Sequence, residues 1–328
     1  MSHHTTPDAE PSTILHDQTP RGREKPWVQH KLESQVTAAA LALAGDQAAA
    51  DRMATCADWL EFRRLETGAL TLNRANFCRI RLCPMCQWRR SLRVAAQVQA
   101  CDTWAQQERA RQGKRPWAHY LLTLTVRNVP GPDLTATLDD LTSAWDRFSR
   151  RAAVKRAMRG GYVRATEITY NSIAGTYHPH MHILVLCNRS YFVSRDYLNH
   201  DKWQALWRDA ARLDYDPQVD VRRCTSDLSG AVAEVCKYTT KPGSYLLTDN
   251  MDETATVVGT LASACNRRRF LALGGEYRRA AQALNLGDPE DGDLVHISAD
   301  AGESDAGARL WPYTWYPGPH LYMRGGPK

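Results

Sequence analysis

No apolar run in the 328-residue chain approaches the roughly 20 residues that a membrane-crossing helix needs. The N-terminal stretch also lacks the apolar core of a secretory leader, so a cytoplasmic protein with no membrane partner is expected. Strong charge asymmetry is missing too. Forty-two Lys and Arg against 36 Asp and Glu leave +6, a mild excess that by itself says little about a polyanionic partner. Without a leader, the nine cysteines do not suggest a disulfide framework. What is present, 43% hydrophobic and 24% charged residues, is the composition of a globular protein with one large domain or two ordinary ones.

Four cysteines have a spacing of their own. Cys56, Cys78, Cys83 and Cys86 form C-x21-C-x4-C-x2-C. The Cys83-Pro84-Met85-Cys86 knuckle lets two thiolates share one tetrahedral zinc, and Cys56 and Cys78 complete a closed structural shell. A redox CxxC is the competing reading, but it would call for a βαβ pattern nearby and no further cysteines. Cys101, Cys187, Cys224, Cys236 and Cys265 lack such spacing and read as small buried residues. Arg79, Arg81, Arg89 and Arg90 surround the knuckle with Phe77 and Trp88, either as a phosphate-contacting surface or as a solvated charged face.

Downstream, Tyr120 to Val126 reads as a central strand. Leu134 to Met158 has helical periodicity and a basic end that includes Arg150, Arg151 and Lys155, again either a DNA-backbone surface or a solvated face. Gly160-Gly161 stops that helix, and Tyr162 to Tyr170 is the next strand. Asn171 to Thr176 is a hairpin loop leading into Tyr177-His178-Pro179-His180-Met181-His182-Ile183-Leu184-Val185-Leu186. Side chains at i and i+2 of a strand share a face, so His180 and His182 can hold one ion while Met181 faces a core. His178 has the same parity, although Pro179 places it at the strand entrance. The hairpin lays Glu167 beside the histidines as a third ligand, unless it is an ordinary exposed strand residue. Two imidazoles and a carboxylate suit Mg²⁺ or Mn²⁺ with positions left for substrate oxygens.

Leu228 to Lys241 reads as a helix stopped by Pro242-Gly243. On it Glu234, Tyr238 and Lys241 fall at i, i+4 and i+7, which lines a carboxylate, a phenol and an ammonium along one stripe. The alternative for Tyr238 is a structural aromatic under the sheet.

Thr123-Leu124-Thr125 on a strand, Tyr-His-Pro-His-x-His on a second strand, and Glu-Val-x-Lys-Tyr-x-x-Lys on a later helix, in that order, resemble the HUH endonucleases. With the upstream cysteine cluster, the chain is most similar to the single-tyrosine replication initiators of rolling-circle plasmids, over roughly residues 56–245. The resemblance implies an α+β fold, a central antiparallel sheet flanked by helices with a small zinc-binding module in front. It also implies nicking of one strand at an origin: Tyr238 as nucleophile giving a 5′-phosphotyrosine link and a free 3′-OH, Lys241 neutralising charge, and Glu234 as general base for a closing cleavage and strand transfer. The partners so implied are double- and single-stranded origin DNA, a host helicase, a single-strand-binding protein and a second copy of the chain on DNA. An HUH-type insertion-sequence transposase and a non-catalytic origin-binding protein are the alternatives. The helix carries no second tyrosine, and Tyr245 lies beyond its stop.

The expected organisation is a disordered tail over 1–35, a helical and four-cysteine module over 36–112, the endonuclease domain over 116–285, and an acidic linker with an aromatic tail over 286–328. From Asp288 to Asp305 there are seven acidic residues and no Lys or Arg, which suggests flexibility. Trp311 to Pro317 is aromatic and proline-containing, and either folds back or stacks bases.

Overall fold

A computed structural model of the chain describes residues 13–19, 21–224, 228–236, 242–247, 249–297 and 309–324. In chain order these form helices α1 (Trp27–Leu43) and α2 (Gln47–Ala54), strands β1 (Trp59–Arg64) and β2 (Leu70–Ala75), and the long helix α3 (Pro84–Arg111). Then come β3 (Ala118–Thr125), α4 (Leu134–Ser149), α5 (Ala152–Ala157), β4 (Gly161–Asn171) and β5 (Thr176–Cys187). They are followed by α6 (His200–Ala211), β6 (Val219–Cys224), α7 (Ser229–Val235), α8 (Pro242–Tyr245) and α9 (Met251–Cys265). The last elements are β7 (Leu271–Gly275), α10 (Glu276–Ala283), β8 (Leu310–Tyr316) and β9 (Leu321–Met323).

The architecture is α+β, with antiparallel sheets flanked by helices. A five-stranded sheet runs in the order β6-β3-β5-β4-β7, every neighbouring pair antiparallel, so the histidine strand β5 is central. Alternation on β5 divides two cores. Met181, Ile183, Val185 and Cys187 face the aromatic cluster of α4 and α6, with Trp145, Phe148, Trp203 and Trp207. Leu184 and Leu186 face the other way, under Val94 and Val98 of α3, Val232 and Val235 of α7 and Tyr277 of α10. His180 and His182 share that second face, one turn of the pleat beyond the leucines.

Close approach at the β4–β7 edge depends on glycine. A Cβ on Gly161, at φ +115°, would lie 2.3 Å from the Gly274 carbonyl oxygen, and one on Gly274 would lie 2.4 Å from the Tyr162 ring. This explains Gly160-Gly161 better than helix termination alone, because the strand begins at the second glycine itself.

The front module draws on both ends of the chain. A second sheet runs β2-β1-β8-β9, so the aromatic C-terminal strand pairs with β1, with Tyr313 opposite Leu60 and Trp311 opposite Phe62. Its alternate residues Trp311, Tyr313 and Trp315 are buried in the same core as the four cysteines, and of the two roles expected for the aromatic tail it takes the packing one. At the other end, α1 starts at Trp27, inside the stretch expected to be a tail over 1–35. Trp27 is buried edge-on against Phe62 and Trp88, and its indole N–H donates to buried Asp17 at 2.8 Å. One buried tryptophan therefore orders its neighbours where composition suggested disorder. Within the module expected over 36–112, the Ala/Leu-rich run from Val36 to Ala54 forms parts of two helices, split at Gly45 (φ +91°) and capped afresh by the Asp46 carboxylate accepting from the Ala49 amide. The helix expected over 134–158 likewise breaks at Arg150 and Arg151 into α4 and α5.

The acidic stretch also differs from expectation in its described part, 288–297. Glu290 is 5% exposed, paired with Arg81 at 2.9 Å and accepting from the Phe270 amide. Arg89 donates to the Leu294 and Val295 carbonyls, Arg90 to the Glu290 carbonyl and Arg93 to that of Asp293. This strap lies along α3, held through its backbone, a mode of ordering that composition does not report.

Candidate functional site

The knuckle begins where Cys83 caps α3 and Pro84 occupies its first turn, which brings Cys86 round towards Cys83. Arg79 adopts a left-handed conformation (φ +60°), turning the chain so that its amide donates to Cys86 Sγ at 3.3 Å. The Cys78 amide donates to Cys56 Sγ at 3.4 Å. The sulfurs lie 3.6 Å apart for Cys56–Cys86, 3.7 Å for Cys78–Cys86 and 3.6 Å for Cys56–Cys83. A tetrahedron with Zn–S near 2.3 Å has edges of about 3.8 Å, so the four thiols fit a zinc module. Their electrostatics agree. Burial opposes ionisation of Cys83, yet hydrogen bonding with Cys56, Cys78 and Cys86 holds its pKa well below a free thiol's, while hydrogen bonding with Cys78 and Cys83 pushes Cys56 up and bonding with the other three pushes Cys86 up. Four sulfurs this close cannot all be thiolates without a cation between them.

The second site stands on the five-stranded sheet. Register places Glu167 of β4 opposite His180 and Thr123 of β3 opposite His182. Glu167 Oε2 lies 3.2 Å from His182 Nε2 and 3.5 Å from His180 Nε2, and the three residues each offer a ligand atom within 4.8 Å of the others. All three are buried: Glu167 is 2% exposed, His180 8% and His182 7%. Each rear nitrogen has a partner. His180 Nδ1 is 3.1 Å from the His178 carbonyl, which can only accept, so the proton sits there and the Nε2 lone pair points into the group. His182 Nδ1 meets the Thr123 hydroxyl at 3.2 Å, a group that can donate or accept and so serves either tautomer of that ring. Thr123 stands behind His182 through the β3–β5 register, which no local pattern in the sequence gives.

Across this group stands Glu234, near the end of α7, with Oε1 3.5 Å from His182 Nε2. The structure therefore brings Glu234 to the same histidine as Glu167. Tyr238 and Lys241 lie outside the described residues. His178 stacks on His180 at 4.9 Å, and burial followed by the neighbouring His180 lowers its pKa, so it is neutral at physiological pH. Tyr245 is fully buried, its hydroxyl donating to the Leu82 carbonyl. Of the remaining cysteines, Cys101, Cys187, Cys236 and Cys265 are buried and Cys224 is half-buried, and burial pushes the Cys236 thiol up to about 12.

The basic residues separate into two groups. Arg79, Arg150 and Lys155 are exposed. Arg81 pairs with Glu290, Arg89 is enclosed between Trp27 and Trp88 with burial bringing its pKa down to about 10, and Arg90 is engaged with the strap. Arg151 pairs with Asp209. Arg150 and Lys155 belong to the α4–α5 side, across the sheet from the Glu–His–His group.

Residues 69–323 match the family model described as a replication protein. The chain is 37% identical over 304 residues to the Protein rep of Streptococcus pneumoniae serotype 2 (strain D39 / NCTC 7466), covering 90% of this chain and 91% of that one. It is 35% identical over 341 residues to a Protein rep of Bacillus amyloliquefaciens, covering 95% and 97%. A Replication protein of Staphylococcus aureus is 32% identical over 203 residues, covering 59% and 86%. No solved structure matches the chain. Among the described residues no helix is long and apolar enough to cross a membrane.

Proposed function

The chain belongs to the replication-protein family, and on that premise we propose that it initiates rolling-circle replication of a plasmid by nicking one strand of the origin through a tyrosine. The observation that carries this is the convergence of His180 Nε2, His182 Nε2, Glu167 Oε2 and Glu234 Oε1 on one sheet face, at the helix whose sequence continues to Tyr238.

A divalent ion, Mg²⁺ or Mn²⁺, held by Glu167, His180 and His182 would polarise the scissile phosphate and stabilise charge on its oxygens. The residues of the chain do the rest. The His178 carbonyl and the Thr123 hydroxyl hold the two imidazoles at their rear nitrogens with both Nε2 atoms facing the group, so the ligand group needs little reorganisation. Tyr238 attacks phosphorus, the P–O3′ bond breaks, and the strand is left as a 5′-phosphotyrosine with a free 3′-OH that a polymerase can extend. Lys241 lowers the cost of charge on the phenolate, whose reference pKa is about 10. Glu234 takes the proton of a water in the closing cleavage, which spares the protein a second tyrosine.

In this reading Cys56, Cys78, Cys83 and Cys86 hold a structural Zn²⁺, and the exposed Arg79, Arg150 and Lys155 contact the DNA backbone. The protein then works in the cytoplasm on double- and single-stranded origin DNA, with a helicase and a single-strand-binding protein of the host and a second copy of itself. The test is His180→Ala and, separately, His182→Ala. Each should abolish Mn²⁺- or Mg²⁺-dependent nicking while retaining duplex binding, because affinity rests on phosphate contacts from Arg and Lys. Wild-type nicking by either variant would remove the metal group from the reaction.

A further inference from the structure

Ile173 is 99% exposed, more than any other large apolar side chain among the described residues. A single exposed isoleucine is common on protein surfaces, and what matters here is where this one is held. It is held at the apex of the β4–β5 hairpin. The Asn171 carboxamide oxygen accepts from the Ile173 and Ala174 amides, both at 3.1 Å, and Gly175 takes φ +63° to return the chain. The stem is braced as well. Tyr170 packs on Tyr177 at 5.0 Å and donates to Glu253 of α9 at 2.9 Å. The two strands of this stem are those that carry Glu167, His180 and His182.

A second observation lies beside the stem. The loop after β3 is tied to it by the Val129–Tyr177 bridge and by Asn128 donating to Thr176. On that loop the Arg127 guanidinium lies 3.7 Å over the Tyr215 ring and 3.9 Å from the exposed Asp214 carboxylate, its side chain 67% exposed, and its amide donates to the Tyr215 hydroxyl at 2.8 Å. A guanidinium held over a ring and open to solvent, with only a long contact to an exposed carboxylate, is suited to a phosphate oxygen pair. One end of the metal strand thus presents a rigid apolar point and a preorganised cation together.

We propose that this end of the sheet grips duplex DNA beside the scissile phosphate, with Ile173 inserted between base pairs as a strand-separating wedge and Arg127 on the adjoining backbone. The inference rests on the nicking site proposed above. Apolar side chains inserted at a base step unstack and kink a duplex, and the contact with the exposed bases offsets that cost. At about 3.3 Å per residue the apex lies roughly 15–20 Å along the strand from Glu167. That span corresponds to about five base pairs at 3.4 Å each. Melting at that distance would deliver single strand to a site whose Glu167, His180 and His182 side chains are buried on the sheet face.

The experiment uses the full chain, Ile173→Ser and Ile173→Phe, with origin duplexes carrying 2-aminopurine at single positions about three to seven base pairs from the nick. The unsubstituted protein should raise 2-aminopurine fluorescence at one or two of these positions, Ile173→Phe should preserve the rise, and Ile173→Ser should abolish it. Nicking of the duplex by Ile173→Ser should fall by about tenfold or more, while cleavage of a single-stranded origin oligonucleotide stays at the unsubstituted level. Equal fluorescence and equal duplex nicking in Ile173→Ser would overturn the wedge. A changed oligomeric state in Ile173→Ser with unchanged fluorescence would also overturn it, placing the apex at an interface between copies. Failure of the unsubstituted protein to cut single strands would count against the nicking site itself, whereas the fluorescence comparison would still decide the wedge.

Discussion

His182 is held at both ring nitrogens, by the Thr123 hydroxyl at Nδ1 and by Glu167 at Nε2. Removing the rear contact with Thr123→Val should leave the ligands in place but free the ring to turn, costing about 10–100-fold in Mn²⁺ affinity or nicking rate. Titration of the purified variant with Mn²⁺ checks this, and an unchanged affinity would make Thr123 a strand residue only. Glu234 has a different expected phenotype. In Glu234→Ala the nucleophile and the ligand group remain, so the covalent adduct should form and then decay more slowly by about 10²–10⁴, the usual loss for a general base. Adduct lifetime on a denaturing gel measures it, and an unchanged lifetime would reduce Glu234 to a neighbour of His182. The proximity of Glu167, His180 and His182 was legible in the sequence because a strand period of two and a short hairpin fix which residues face each other. Thr123 and Arg127 were not, since their partners come from register and from a ring 88 residues away.

At the scale of elements, the strap over 288–297 departs furthest from what the sequence suggests. Composition reports how much apolar surface a segment can bury, and this one has little beyond Leu294 and Val295; arginines of α3 donating to its carbonyls also order it. The same arginines looked like a DNA surface because clustering in sequence does not reveal what covers them. Glu290→Ala would leave Arg81 and the Phe270 amide without this partner and should cost about 1–3 kcal/mol, read as a fall in Tm. A free linker would leave Tm unmoved. The strap also carries a pH dependence. Burial raises the pKa of Asp288 and Asp293, but amide donors, with Arg269 at Asp288 and His296 at Asp293, outweigh it and hold both below their ordinary value. Depressed carboxyls stabilise the fold above their unfolded pKa of about 3.9, and that contribution is lost as pH falls through the lower folded values. Tm measured from pH 5 down to 3 should therefore drop less steeply in Asp288→Asn than in the unsubstituted chain.

The whole molecule joins its two ends in the front module, where β1 pairs with β8 and the four cysteines sit in the same core as Trp27, Trp311 and Tyr313. Cys83→Ser should therefore release zinc and lower the stability of the C-terminal strand along with the knuckle, seen as lost metal content and a lower Tm. An intact fold without bound metal would contradict it. The three middle strands of the central sheet, β3, β5 and β4, and the order of motifs were readable from one sequence; the second sheet was not, because β1 and β8 are some 250 residues apart and no local pattern pairs them. The most direct test of the central claim is incubation of the protein with a single-stranded origin oligonucleotide and Mn²⁺, followed by denaturing electrophoresis and mass analysis of the tyrosine peptides. A covalent protein–DNA species joined through Tyr238 and absent from Tyr238→Phe is predicted; an adduct that persists in Tyr238→Phe, or cleavage without any adduct, would contradict it.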